Sequence, residues 1–390
     1  MKFVVEALGL TTGGGKTGLL RLLPALAAHR EHDFVFLLPD LPEFNAAASP
    51  NVELILRRKP QNLAARHWFL HHTVPRICAR KRSDALLAYG NFAPRRSPVP
   101  VVLLVQNAHF VYREAVAEGK MTLREKLIVA YGRAHLRRLP SHVQVIVQTE
   151  AIRAKMLSEY HLDDARVRVI PECDGLPPQL SGTLPASYGG VAPFTFLCLA
   201  VYYPHKNLEV LIEAMKKLRR YCARPAVCCI TIHPDQHPGA RDLLRTIARE
   251  NLHKIILNVG PVPDSKLDWA YRSAHALIQP TLLETFGRTY IEAMHYGLPI
   301  LTSDRDFARC VCQDAAIYFD PLNPESVART CARIMEDESL RLRLVRNGQR
   351  LVSQLPSWED IASRYVDLLE NAAAKKLPHF SPLLHGAVTG

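Results

Sequence analysis

The sequence predicts an α/β protein made of two doubly wound parallel-sheet domains facing across a cleft. Three observations carry this. A chain of 390 residues is too long for one ordinary core and suits two domains of about 150–200 residues. Short apolar runs alternate with helical patterns, as expected of strands covered on both faces by crossover helices. The alternation breaks once, from Pro171 to Pro193, where Pro177, Pro178, Pro185, Gly182, Gly189 and Gly190 cluster in a stretch that neither helix nor strand tolerates.

In the first half the predicted strands are Phe3–Ala7, Phe34–Leu38, Val52–Leu56, Ala85–Ala88, Val101–Val105 and Val143–Val147. Helical patterns lie between them at Gly18–His29, Arg124–Arg138 and Ala151–Tyr160. The second half restarts with strands Phe194–Leu199, Cys228–Ile232, Ile255–Val259, Ala276–Gln279 and Ile300–Thr302. Its helices are Leu208–Arg220, Arg241–Glu250, Leu267–Ser273 and Phe286–Tyr296. After Pro321 the pattern is helical throughout, over Pro324–Glu336, Leu340–Gln354 and Trp358–Ala374. The resulting division is a first domain over 1–172, a linker over 173–193 and a second domain over 194–356. A last helix over 357–374 is placed to cross back to the first domain, and 375–390 reads as a loose tail.

Charge is uneven. The chain carries a formal net charge of +12, and Met1–Glu172 holds 25 Lys and Arg against 15 Asp and Glu. The excess clusters at Arg57-Arg58-Lys59, Arg76, Arg80-Lys81-Arg82, Arg95-Arg96 and Arg137-Arg138. Such a half suits an anionic partner, either a membrane surface or a phosphate-bearing acceptor, or a solvated surface that aids solubility. No nucleic-acid motif accompanies it. No apolar run reaches the roughly 18–20 residues of a membrane helix. The expected location is therefore the cytosol, with peripheral attachment to the inner membrane face through the basic half. The nine cysteines include no C-x-x-C pair and read as reduced core thiols, without a disulfide framework or metal site.

The richest segment runs from Gln279 to Pro299. A strand ends near Pro280, a short loop carries Glu284, and a helix is expected to start near Phe286. Amides around Phe286 and Gly287 offer an anion site, and glycine permits close approach of a phosphate. Glu292 lies about 7 Å further along the helix axis. Glu284 could then touch a sugar on one side of a diphosphate while Glu292 accepts from ribose hydroxyls on the other. The alternative makes Glu284 a helix-start charge and Glu292 an i+4 partner of Arg288.

These residues resemble the signature of the retaining glycosyltransferases of family 4 (glycosyl transferases group 1). In that family two glutamates lie either side of seven residues, with Pro-Ser/Thr before and Ala-Met-x-x-Gly-x-Pro after. Here Pro280-Thr281, Glu284, Glu292 and Ala293-Met294-His295-Tyr296-Gly297-Leu298-Pro299 supply each part. Similarity extends over most of Phe194–Ala374, including Ser303-Asp304 and Asp314–Pro321, and is weaker in the first half. The resemblance implies a GT-B fold of two Rossmann-like domains, a UDP- or GDP-type sugar donor, and hexosyl transfer with retention to a glycan or lipid-linked acceptor, as in polysaccharide biosynthesis. It implies no essential metal and no other cofactor.

By the same resemblance Glu284 contacts the donor sugar and Glu292 the ribose. Lys206, in Tyr203-Pro204-His205-Lys206-Asn207, matches the lysine that binds the diphosphate, a role suited to a leaving group that gains charge. Gly13-Gly14-Gly15-Lys16-Thr17 is nearly a P-loop but has Leu10 where glycine is required. The family has a Gly-rich loop there, which puts Gly14, Gly15 and Lys16 beside the donor. His109, in Gln106–Phe110, matches a histidine near the donor sugar hydroxyls.

Two positions depart from the family. No arginine precedes Lys206 in Ala200–Tyr203, and Cys310 stands where glutamate is common. Lys16, reaching across on cleft closure, or Arg288 would then supply the second cation. Alternatives left open are a sugar-nucleotide epimerase or phosphorylase of the same fold, a P-loop hydrolase, and a non-catalytic binding subunit.

Overall fold

All strand pairs among the described residues are parallel, in two separate sheets. The computed structural model describes residues 1–11, 13–60, 62–112, 121–173 and 193–375. Most of the expected linker and all but the first residue of the expected tail therefore lie outside the described residues. The first sheet comprises β1 (Lys2–Glu6), β2 (Asp33–Pro39), β3 (Val52–Arg57), β4 (Ala85–Ala88), β5 (Val101–Leu104), β6 (Gln144–Val147) and β7 (Val167–Val169). Its order is β3-β2-β1-β4-β5-β6-β7. The second sheet comprises β8 (Phe194–Cys198), β9 (Ala226–Ile230), β10 (Ile256–Asn258), β11 (Ala276–Gln279), β12 (Ile300–Ser303) and β13 (Ala316–Phe319), in the order β10-β9-β8-β11-β12-β13.

A parallel neighbour cannot be reached through a tight hairpin, so most strands are followed by a helix. In the first half these are α1 (Gly13–Ala27), α2 (Leu63–Trp68), α3 (Val74–Lys81), α4 (Ala108–Val111), α5 (Leu123–Arg137) and α6 (Glu150–Tyr160). A π-helical turn, Phe69–Thr73, joins α2 to α3. In the second half they are α7 (Glu209–Leu218), α8 (Pro238–Arg249), α9 (Leu267–Arg272), α10 (Arg288–His295) and α11 (Asp306–Cys312). Then come α12 (Pro324–Glu336), α13 (Glu338–Ser353) and α14 (Trp358–Ala374).

Local sequence explains several boundaries. Thr122 and Glu125 form a capping box at α5, and Ser357 and Asp360 another at α14, each satisfying two otherwise orphaned amides. Several assignments differ from the sequence reading. The strands β7 and β13 are additional; both are short edge strands with partly exposed faces, so their apolar signal is weak. The α2–α3 segment, α4 and α11 are additional helices. The first helix starts at Gly13 rather than Gly18, because Gly13 turns the chain into the helix with φ +74°. The glycines expected in a loop thus form the first turn of α1. Similarly, α10 starts at Arg288, with Gly287 as its N-cap at φ +79°. A Cβ at Gly287 would lie 2.5 Å from the Tyr290 ring, so both backbone and packing require glycine there.

The apolar core has three parts. One covers a face of the first sheet and continues through Tyr290, Met294 and Phe307 into the second domain. Another lies within the second domain between the sheet and α7, α8 and α12. The third lies under α1 on the other face of the first sheet, and α14 completes it with Trp358, Ile361, Tyr365, Val366 and Leu369. The last helix therefore packs on the first domain, against α1, β4 and β5. The nine cysteines are all free thiols, and burial pushes Cys198 up to about 12.

In each sheet the strand order reverses beside its first strand, between β1 and β4 and between β8 and β11. Ligands of such sheets bind at the carboxyl ends of strands flanking this point. Leu369 is fully buried where α14 meets the first sheet. Leu369→Ala is expected to cost about 2–5 kcal/mol, read by chemical denaturation. An unchanged midpoint would show that α14 adds nothing to the first domain.

Candidate functional site

A cavity of about 440 Å³ lies where the two strand edges face each other. The first domain contributes Gly13, Gly14 and Gly15 after β1, Asn91 after β4, Gln106 to His109 after β5, and Gln148 and Glu172 after β6 and β7. The second contributes Tyr203, His205 and Lys206 after β8, and Leu283 to Arg288 after β11. Each group follows a strand end, so sheet topology brings together residues far apart in sequence.

Backbone contacts hold the two second-domain loops in register. The carbonyl of His205 accepts from Leu282 N at 2.7 Å and from Thr281 Oγ1 at 3.3 Å. Asn207, at φ +54°, donates through Nδ2 to Pro280 O at 3.2 Å and Pro321 O at 2.8 Å. Lys206 and Glu284 are thereby set face to face, and Lys206 Nζ donates to Glu284 Oε1. On the first-domain side, Asn91 Oδ1 accepts from Gln106 N at 2.7 Å, and Gln106 Nε2 donates to Tyr89 O at 3.0 Å. The Gln106 side chain then fills the space beside Gly15, where a Cβ would meet its Oε1 at 3.1 Å.

Several polar contacts cross the cleft. His109 Nε2 lies 3.0 Å from His205 Nδ1. Burial, then the charge of Lys206, then His109 hold the His205 imidazole well below its ordinary value. Tyr112 donates to Asp306 Oδ1 at 3.0 Å, and Thr149 Oγ1 donates to Thr285 O at 3.3 Å. Arg288 Nη2 donates to Glu172 Oε2 at 2.8 Å, with only 12% and 10% of these side chains exposed. Gln148 Nε2 donates to Glu172 Oε1 at 2.6 Å. Burial raises the Glu172 carboxyl above its ordinary value, with Arg288 pulling against it. Burial works against the charge on Arg288, yet Glu172 and then Glu292 hold its pKa above the usual guanidinium value.

Of the residues singled out in the sequence, Gly14, Gly15, His109, Lys206, Glu284, Phe286, Gly287 and Arg288 all line this cavity. Lys16 does not. Its Nζ pairs with Glu43 Oε1 at 2.9 Å, because α1 begins early enough to turn that side chain away. Glu292 also lies outside the lining: it is buried, and Tyr271 donates to its Oε2 at 2.6 Å. Arg288 hydrogen-bonds Glu172, and the i+4 residue Glu292 adds a smaller electrostatic contribution to it.

Sequence reasoning passed over Gln148, Glu172 and His205. His205 sits inside a motif already singled out, beside Lys206. Glu172 had no local signal, since its partner is 116 residues away. His71 and His72 diverge as expected of adjacent helical residues. His71 Nδ1 accepts from Arg95 N at 3.0 Å, and His72 packs on Trp68 at 4.1 Å between ring centroids. Among the described residues no group of three or more His, Cys, Asp or Glu could hold a metal ion.

Residues 191–351, which hold the Lys206 and Glu284 loops and α10, match the family described as Glycosyl transferases group 1. Over this segment the chain is similar to that family. Over 178 residues it is 28% identical to O-antigen chain mannosyltransferase B of Escherichia coli, covering 44% of each chain. It is 29% identical over 178 residues to the phosphatidyl-myo-inositol mannosyltransferase of Mycobacterium tuberculosis, covering 44% of this chain and 45% of the relative. These matches span less than half the length of the curated relatives.

The fold, by contrast, matches over nearly the whole chain. Sucrose-phosphate synthase of Thermosynechococcus elongatus superposes with a TM-score of 0.73 at 17% identity, over 96% of this chain and 99% of the other. HepE of Anabaena, solved with UDP-glucose, gives 0.69 at 16% identity over 95% and 100%. The two domains together have a GT-B fold.

The depressed pKa of His205 gives a testable pH dependence. Below about 6.5 the unfolded imidazole binds a proton that the folded protein refuses. Its contribution to stability is intact above that pH and is lost as pH falls towards the depressed folded value. The stability difference between wild type and His205→Gln should therefore shrink between pH 7 and 5 in urea titrations. A pH-independent difference would show that His205 titrates normally.

Proposed function

We propose that the protein is a glycosyltransferase that binds a nucleotide-diphosphate sugar of UDP or GDP type in the interdomain cavity and transfers its hexose with retention. The observation that carries this reading is the Lys206–Glu284 pair on the cavity wall, inside the segment similar to the group 1 family. In this reading Lys206 binds the diphosphate and stabilises it as it leaves. Glu284 accepts hydrogen bonds from the donor sugar once the diphosphate has drawn Lys206 away. The amides of Gly14, Gly15 and Gly287 let phosphate oxygens approach the backbone, and His109 faces the sugar hydroxyls from the first domain. The acceptor hydroxyl attacks the anomeric carbon from the face the diphosphate leaves, and carries its proton towards that leaving group. The HepE structure, solved with UDP-glucose, supports this class of donor.

The acceptor in this reading is a glycan or a lipid-linked saccharide presented at an anionic membrane surface. All the arginines of the basic clusters are exposed, and the first domain also exposes large apolar side chains. Trp68 on α2 is 59% exposed, and Leu123 and Leu127 on α5 are 75% and 53% exposed. The two helices meet where His67 Nδ1 and the Tyr131 hydroxyl lie 2.8 Å apart. Apolar residues among basic ones suit an interface of anionic headgroups and acyl chains. Among the described residues no helix is long and apolar enough to cross a membrane.

The decisive assay incubates the protein with UDP- and GDP-sugars and an acceptor extract, reading the anomeric configuration of the product by NMR. Release of sugar-1-phosphate with phosphate, or of an epimerised donor without acceptor, would replace transfer by phosphorolysis or epimerisation. Donor charge is met by side chains in this mechanism, so activity should survive EDTA. Loss of activity restored by magnesium or manganese would refute that part.

Glu292→Gln keeps an acceptor for Tyr271 and should weaken nucleotide binding by about 1.5–3 kcal/mol if the carboxylate takes the ribose hydroxyls. Unchanged affinity in calorimetry would leave Glu292 as a core partner of Tyr271. The protein should also sediment with anionic vesicles at low salt and be released as salt rises. No binding at low salt would leave the basic surface a solubility feature.

A further inference from the structure

Both cations on the cavity wall are already engaged. Among the described lining residues Lys206 is bound to Glu284 and Arg288 to Glu172, while Glu125 adds a further carboxylate. Two cations against three carboxylates make a poor receptor for a diphosphate. An anion of that charge enters only by displacing a carboxylate from its cation, because unpaired charges in a half-buried site are costly.

The two pairs differ in what displacement does. Lys206 and Glu284 belong to the same domain, so separating them moves side chains only. Arg288 and Glu172 belong to opposite sides of the cleft. Arg288 is the first residue of α10, on the same wall as Lys206 and directly after Gly287. Glu172 is the last residue of the first domain, immediately before the stretch that leads to the second. The α1 backbone walls the pair on one side: a Cβ on Gly18 would lie 2.8 Å from Glu172 Oε1 and 3.1 Å from Arg288 Nη2. Arg288 Nε is buried with no partner among the described residues, leaving a donor unused.

We propose that Glu172 is a resident counter-ion of Arg288 that the donor diphosphate displaces, so that the Glu172–Arg288 contact is a nucleotide-sensitive latch between the domains. The inference rests on the nucleotide-sugar reading above. In the latched state the carboxylate satisfies the guanidinium and ties the second domain to the first. When a diphosphate occupies the cavity, Arg288 turns its donors, including Nε, to phosphate oxygens. It thereby supplies the second cation that no arginine before Lys206 provides. Glu172 then keeps only the amide of Gln148. A buried carboxylate stripped of its cation takes up a proton. Diphosphate binding, proton uptake and loss of an interdomain contact are thus one event.

Isothermal titration of UDP, GDP and their monophosphates, in buffers of different ionisation enthalpy at pH 7, tests this. Wild type should take up on the order of one proton per diphosphate bound. In Glu172→Gln the uptake should vanish and the diphosphate Kd should fall by on the order of tenfold, with a smaller change for monophosphates. Glu172→Gln/Arg288→Gln keeps a neutral hydrogen-bonded pair and should lose most of the preference for diphosphate over monophosphate. Glu172→Gln with wild-type Kd and proton uptake overturns the latch. If that variant does not fold, the wild-type proton count decides, and zero uptake overturns the proposal. Failure of both diphosphates to bind wild type refutes the donor reading, and the latch with it. Binding weakened by Lys206→Ala but untouched by Glu172→Gln refutes the latch alone.

Discussion

A strand paired in parallel on both sides cannot return through a tight turn, and its backbone must cross the whole sheet before the next strand begins. That constraint organises this protein. Crossing segments leave from the carboxyl ends of the strands, so every loop free to carry chemistry gathers at one edge of each sheet. With the two edges facing each other, residues from β1, β4, β5 and β6 meet residues from β8 and β11. The Lys206 and Glu284 loops lie 78 residues apart in sequence and yet share a hydrogen bond, because β8 and β11 are neighbours in the sheet.

Electrostatics at this edge follow from burial. Arg288, Glu172 and His205 are withdrawn from solvent, so each depends on its partner: the ions pair, and the imidazole is held neutral. The cleft is assembled with its charges provisionally satisfied by the protein. Binding there is an exchange of partners rather than the filling of an empty receptor, and affinity reflects the difference between two sets of contacts.

Much of this was legible in sequence. Well-buried strands such as β2 and β5 announce themselves as apolar runs, and the Gln279–Pro299 segment carries its loop and helix in local spacing. Gly287 could be read as a close-approach residue, and the structure adds that its left-handed backbone caps α10. What stayed hidden depends on tertiary context. Strands β7 and β13 are short and half-exposed, so their side chains lack a uniform pattern. Lys16 looked like a donor ligand because a glycine run reads as a loop. Once those glycines enter α1, the lysine points to Glu43. Glu172 had no marker, since a buried ion pair between domains leaves no periodicity in either segment.

The position of α14 bears on how the chain is made. Its apolar face forms part of the core under α1, beside the first sheet, yet the 163 residues from Pro193 to Leu355 are translated before Trp358 emerges. During synthesis, the amino-terminal domain therefore waits with the surface under α1 uncovered while the second domain takes shape. The nascent protein cannot mature strictly one domain at a time. Its first domain is sealed by a helix made only after the second domain, so a premature stop within the second domain would strand both domains, one truncated and the other open.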